Sequence, residues 1–176
     1  MISSNLEYLE GSKEFLNWKK GHQDSYLAHI FRMFDEANTD IWQFGYYNAN
    51  DTMTTFFLDH GGVKSTPEQE IFKKGAKKLP ALKTSSVKID FPEAMKRVEA
   101  LHQEKYASHP LLKSFAILQV IDKKPLYNAT LVTKTFYTLN VRVDARDGSV
   151  VKETFTSLME MAQFEKGKQK APDYIQ

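Results

Sequence analysis

The stretch from Asp90 to Val151 constrains the fold more tightly than any other part of the chain. It opens on Asp90-Phe91-Pro92-Glu93. An Asp before a helix accepts a hydrogen bond from one of the amides left free in the first turn. Pro is tolerated there because its missing N–H had no partner to lose, and an acid is favoured by the helix dipole. Ala94, Val98, Leu101 and Tyr106 then form one apolar stripe, and Pro110 marks the end. Beyond it, the pattern predicts strands over 115–121, 126–133, 136–143 and 150–155. Asp144-Ala145-Arg146-Asp147-Gly148 supplies the turn before the last of these, with Gly148 placed for positive φ. A capped helix feeding an antiparallel meander makes the fold class α+β.

The first half repeats that order with different residues. Phe15, Trp18, Tyr26, Leu27, Ile30, Phe31 and Phe34 recur at helical spacing, which predicts a long helix over 12–37, kinked at Gly21. Two aromatic and Thr-rich strands, 41–47 and 53–58, flank Asn48-Ala49-Asn50-Asp51 as a hairpin. Thr66-Pro67-Glu68-Gln69 has the form of a capping box and predicts a short helix to about 78, followed by a strand over 83–89. A short helix over 157–164 closes the chain. The expected organisation is two helix-plus-antiparallel-meander units, 1–89 and 90–164, with a polar tail at 165–176. One helix leaves a sheet face open, so the two units are expected to pack together and cover it.

The second half resembles a PepSY-type unit. Pro92-Glu93-Ala94 matches the acidic-to-Ala helix start of that family. Tyr137-Thr138-Leu139-Asn140-Val141-Arg142-Val143-Asp144 matches its aromatic-x-Val-x-Val strand. Asp147-Gly148-Ser149-Val150-Val151 matches its turn into a short Val-rich strand. The resemblance implies a cystatin-like fold and a non-catalytic inhibitory or ligand-binding role, usually outside the cytoplasm.

Composition removes several function classes. A net charge of +2 over 176 residues, with cations interspersed among acids, argues against nucleic acid and against a membrane surface. The absence of cysteine excludes disulfides, thiolate metal sites and a Cys nucleophile. No apolar run reaches the roughly 18–20 residues of a membrane span, and Met1-Ile2-Ser3-Ser4-Asn5-Leu6-Glu7 lacks a signal-peptide pattern. The expected setting is therefore cytoplasmic, or extracytoplasmic if a leader has been removed.

His22, His29, His60, His102 and His109 show no metal-ligand spacing, and Ser65 and Ser85 lie in no nucleophile elbow. Gly61-Gly62 lacks the spacing of a phosphate loop, and Asp144 and Asp147 sit in a tight turn. No catalytic residue, metal or organic cofactor is expected. The aromatic cluster of the first hairpin is different. Trp42, Phe44 and Tyr46 share one strand face; Gln43, Gly45 and Tyr47 share the other, where Gly45 leaves a dent. Together with Phe57 across the hairpin, these strands carry more bulk than one helix covers. The candidate binding residues are Trp42, Gln43, Tyr46, Tyr47 and Phe57. They point to a non-catalytic module that recognises another protein, or a second copy of itself, through an exposed sheet face or edge. The alternative is a ligand-binding or enzymatic cystatin-like cone with a pocket between the first helix and its sheet. The surplus face is expected to meet the second half of the chain.

Overall fold

A computed structural model describes residues 1–34, 41–71 and 78–160. Helices α1 (Ile2–Glu10) and α2 (Lys13–Gly21) lead into strands β1 (Tyr26–Met33), β2 (Trp42–Tyr47), β3 (Thr52–Asp59), β4 (Gly62–Ser65) and β5 (Gln69–Glu70). A 3-10 turn at Thr84–Ser86 precedes helix α3 (Phe91–Lys105), and β6 (Leu111–Ile121), β7 (Lys124–Thr133), β8 (Tyr137–Asp144) and β9 (Val150–Ser157) follow. All nine strands belong to one antiparallel sheet of order β4-β3-β2-β1-β6-β7-β8-β9, with β5 pairing β3 beside β4. The α+β class holds.

One face of the sheet holds the core. Phe44, Phe56, Ile30, Leu118, Tyr127, Leu131, Leu139 and Val141 project there, all fully buried. Phe15 of α2 packs 5.1 Å from Tyr46 and 5.3 Å from Phe56, and Phe91 of α3 sits between Trp42 (5.6 Å) and Tyr127 (4.9 Å). The Asp90 cap is as the sequence predicts: its carboxylate accepts from Phe91 N (2.8 Å), and also from Ile2 N (3.2 Å). Ala94 and Val98 are buried on the predicted stripe, with Leu101 and Tyr106 packed at its margin.

Several expectations fail for identifiable reasons. The helix expected over 12–37 stops at Gly21, and Tyr26–Met33 is a strand. That strand is central and apolar on both faces, so its spacing imitates a helix; residues 35–37 lie outside the described residues. The expected helix at 66–78 is extended where described, and 72–77 lie outside the described residues. The Thr66 hydroxyl oxygen accepts from the Thr55 amide (3.2 Å), while the Thr66 amide donates to Thr55 O (2.9 Å), which spends the capping group on the sheet edge. The strand expected at 83–89 is the 3-10 turn followed by Lys88 and Ile89, whose amides both donate to Ala145 O. Of the helix expected over 157–164, Ser157 ends β9 and residues 158–160 are helical; 161–164 and the tail lie outside the described residues. The halves do not stack face to face. Pairing of β1 with β6 joins them edge to edge, so among the described residues the second half extends the sheet and leaves its second face uncovered.

The turn between β8 and β9 holds Gly148 at φ 77°, with its amide donating to Asp144 O (2.8 Å) and the Arg97 guanidinium against its Cα. A side chain here meets both a left-handed backbone and the arginine. Gly148→Val is expected to lower stability by roughly 2–3 kcal/mol, read as a lower melting temperature, with Gly148→Asn affected less.

Candidate functional site

The face opposite the helices is the candidate site. Strand register places one row of residues across all eight neighbouring strands: Lys64, Phe57, Gln43, Phe31, Ile117, Asn128, Arg142 and Lys152. A parallel row runs through Met33, Phe115 and Thr130 to Asn140. Phe31, Met33, Phe57, Phe115 and Ile117 are all half-buried, and the Phe31 and Phe115 rings lie 5.8 Å apart. The centre of this face is therefore an apolar stripe with polar residues set into it.

The five residues singled out from the sequence divide between the two faces, as the strand alternation requires. Trp42 and Tyr46 are buried in the core, on the face that carries the helices. The Arg32 guanidinium covers the Trp42 ring at 4.2 Å, and the Tyr46 hydroxyl donates to Glu10 Oε1 (3.0 Å). Burial raises the Tyr46 phenol pKa above its ordinary value, and Glu10 adds to the shift. Gln43 and Phe57 lie on the helix-free face, half-buried. Tyr47 shares that face but is only 1% exposed: it packs 5.5 Å from Tyr26, and its hydroxyl bonds Asp51. Between α2 and the sheet, Trp18 lies 5.4 Å from Tyr46 and 5.0 Å from Phe56.

Sequence reasoning missed His29, Phe31 and Met33 because it placed them on a helix. Their alternation with Ile30 and Arg32 was the available signal. The His29 ring fills the dent over Gly45, so that any Cβ at position 45 would overlap the imidazole. Burial there lowers the His29 pKa to about 4.

His22 makes two bonds through its ring. His22 Nδ1 faces Trp18 O and Nε2 faces Glu68 Oε1, both at 2.8 Å. With an acceptor at each nitrogen, the ring satisfies both only as imidazolium. The Glu68 bond and the Trp18 carbonyl accordingly raise its pKa, against Lys19 nearby. Glu68 also accepts from Asn50 (2.7 Å) and Thr52 (2.8 Å) and is held at about 2. Among the described residues no group of three His, Asp or Glu is placed to hold a metal ion. None of the described helices is long and apolar enough to cross a membrane.

No known protein family matches the chain, and no curated protein matches it in sequence. Among solved structures, it is similar to a candidate lipoprotein of Clostridium difficile 630, with a TM-score of 0.55 over 80% of this chain and 89% of that one, at 11% identity. The likeness is one of fold.

Two opposite pH dependences follow. His29 has a depressed folded pKa, so its contribution is complete above about 6.5 and is lost as pH falls towards 4, by at most about 3 kcal/mol. His22 has a raised folded pKa, so its contribution is complete below 6.5 and is lost as pH rises through the raised value. Urea unfolding between pH 4 and pH 9 is expected to show both slopes. His29→Gln should flatten the acid one and His22→Gln the alkaline one.

Proposed function

We propose that the chain is a non-catalytic binding module that recognises another protein through the helix-free face of its sheet. The observation that carries this reading is the half-exposed row Phe57, Gln43, Phe31 and Ile117, which crosses four neighbouring strands on a face with no described helix against it. Apolar bulk interrupted by amides is what a separable interface offers. The edges favour the face over strand addition. At one margin β4 has four residues and β5 two; at the other, β9 pairs with a register break between Arg142 and Val143 and places Lys152 there. Short, bulged and charged edges discourage a further strand.

A second copy of the chain is the other partner this face fits. Both a cytoplasmic and an extracytoplasmic setting suit the role, and the structural neighbour's description as a candidate lipoprotein gives the second its support.

The paired substitution Phe31→Thr/Phe57→Thr tests the reading. The variant is expected to stay folded, at a cost of about 1–2 kcal/mol for the half-buried rings, and to lose association. Association is measured as self-association in sedimentation equilibrium and as recovery of the native partner by the tagged protein. A loss above about 4 kcal/mol would show that these rings are core instead, and unchanged association would sink the proposal.

A further inference from the structure

The hairpin between β7 and β8 puts an aromatic residue where such loops normally put glycine. Phe136 has φ 61°, and its amide donates to Thr133 O (3.2 Å). The left-handed position of a three-residue hairpin loop is usually Gly, because a Cβ there is strained. Burial of the ring could offset that strain, yet Phe136 is 68% exposed.

The loop is held in place from beneath. Thr133 Oγ1 accepts from Tyr137 N (3.0 Å), donates to Tyr137 O (3.1 Å) and lies 3.0 Å from Thr135 Oγ1. Thr135 bonds His109 Nδ1 (2.7 Å), and His109 O accepts from Nε2 of buried His102 (2.9 Å). The His109 and Phe155 rings both pack on Tyr137 at 4.8 Å. A strained residue persists only where its surroundings over-determine it, and such residues gather at functional sites.

Other exposed apolar residues meet it at this end of the sheet. Leu112 is 59% exposed and lies at the register break of β6 opposite Thr133 and Val132. Met159 is 69% exposed and follows Leu158, whose amide donates to Phe136 O (2.8 Å). Lys113 and Lys134 are exposed beside them, and no ion pair engages either among the described residues.

We propose that this tip docks on the surface of an anionic lipid bilayer, with Phe136, Leu112 and Met159 entering the headgroup boundary and Lys113 and Lys134 facing lipid phosphates. A bilayer suits the tip better than a protein does. The three exposed apolar chains come from separate segments, the start of β6, the β7–β8 loop and the turn after β9, and a bilayer asks of them only apolar depth beside positive charge, without a complementary shape. The whole-chain charge of +2 hides this local arrangement, and the proposal departs here from the expectation that membranes play no part. Docking of this kind is reversible, with an association constant on the order of 10⁴ M⁻¹, comparable to a single myristoyl chain.

The test uses the full chain and two kinds of vesicle: phosphatidylcholine alone, and phosphatidylcholine carrying about one-third phosphatidylglycerol. The wild type is expected to sediment with the anionic vesicles at low salt and to be released by high salt. Phe136→Gly and Phe136→Asn, both suited to positive φ, should each weaken partitioning about ten-fold while keeping or raising the melting temperature. Lys113→Gln and Lys134→Gln should each weaken it about five-fold, and Phe31→Thr/Phe57→Thr should leave it unchanged. The proposal is overturned if the wild type ignores anionic vesicles, or if both Phe136 variants bind as the wild type does. It is equally overturned if both variants melt well below the wild type, which would make Phe136 structural, or if Phe136 supports self-association without vesicle binding.

Discussion

The pairing of β1 with β6 is the contact on which the rest of the architecture depends. It runs from His29 opposite Gln119 to Met33 opposite Phe115, and it brings together Ile30 and Leu118, both fully buried. Without it the chain would be two meanders, each with a bare edge along its longest apolar strand. With it, one core takes in residues from Ile2 to Ala145. Helix α3 is placed over the seam: Phe91 touches Trp42 of the first meander and Tyr127 of the second, and the Asp90 carboxylate reaches back to Ile2 N. These contacts join segments distant in sequence, so their loop-closure entropy must be overcome before the core rewards it, a condition that favours slow folding.

What the sequence made legible was local. The Asp90 cap, the hairpin of β2 and β3 and the turn at Gly148 are each decided by a few neighbouring residues, and each formed where expected. What it concealed was set by partners far along the chain. Tyr26–Met33 is apolar on both faces because it becomes a central strand, and two-sided apolarity looks helical until the neighbours are known. Thr66 and Gln69 have the residue types of a capping box, but the Thr66 hydroxyl accepts from Thr55 of β3 and Gln69 pairs with Met53 of the same strand. The alternation in β2 correctly separated Trp42 and Tyr46 from Gln43 and Tyr47. It could not say that Arg32 would cover Trp42 or that His29 would settle on Gly45, since both residues were assigned to a helix.

The composition of the helix-free face distinguishes it from a core that merely lost its lid. Its apolar members, Phe31, Phe57, Phe115 and Ile117, sit in the same rows as Gln43, Asn128, Thr130 and Asn140. Asn140 Nδ2 is satisfied locally by Thr130 Oγ1 (3.0 Å) and Ala129 O (3.3 Å). Asn128 Oδ1, in a residue only 5% exposed, has no hydrogen-bond partner among the described residues. A permanently covered face would gain by replacing such amides with aliphatic groups, because an unpaired buried polar atom costs about 1–3 kcal/mol. In the proposed interface the half-exposed amide of Gln43 can exchange water for a partner's group, whereas Asn128 Oδ1 is closed to water in the structure described.

The two surfaces are compatible because of how strands run. Phe136 and Leu112 lie at one end of β6, β7 and β8, whereas the Phe31–Phe57 row crosses the sheet partway along the strands. Strands of 8–11 residues rise roughly 26–36 Å. With the tip at a bilayer, the strands stand away from it and the helix-free face looks sideways into solvent, clear of the lipid. A partner could then occupy the face without displacing the tip. The chain of bonds from buried His102 through His109 and Thr135 to Thr133 holds Phe136 at a fixed place on α3 and the sheet, so the orientation of the face is set by the same contacts that strain the tip. Relaxing Phe136 would therefore release more than one side chain from the lipid: it would uncouple the direction in which the face points from the surface on which the module stands.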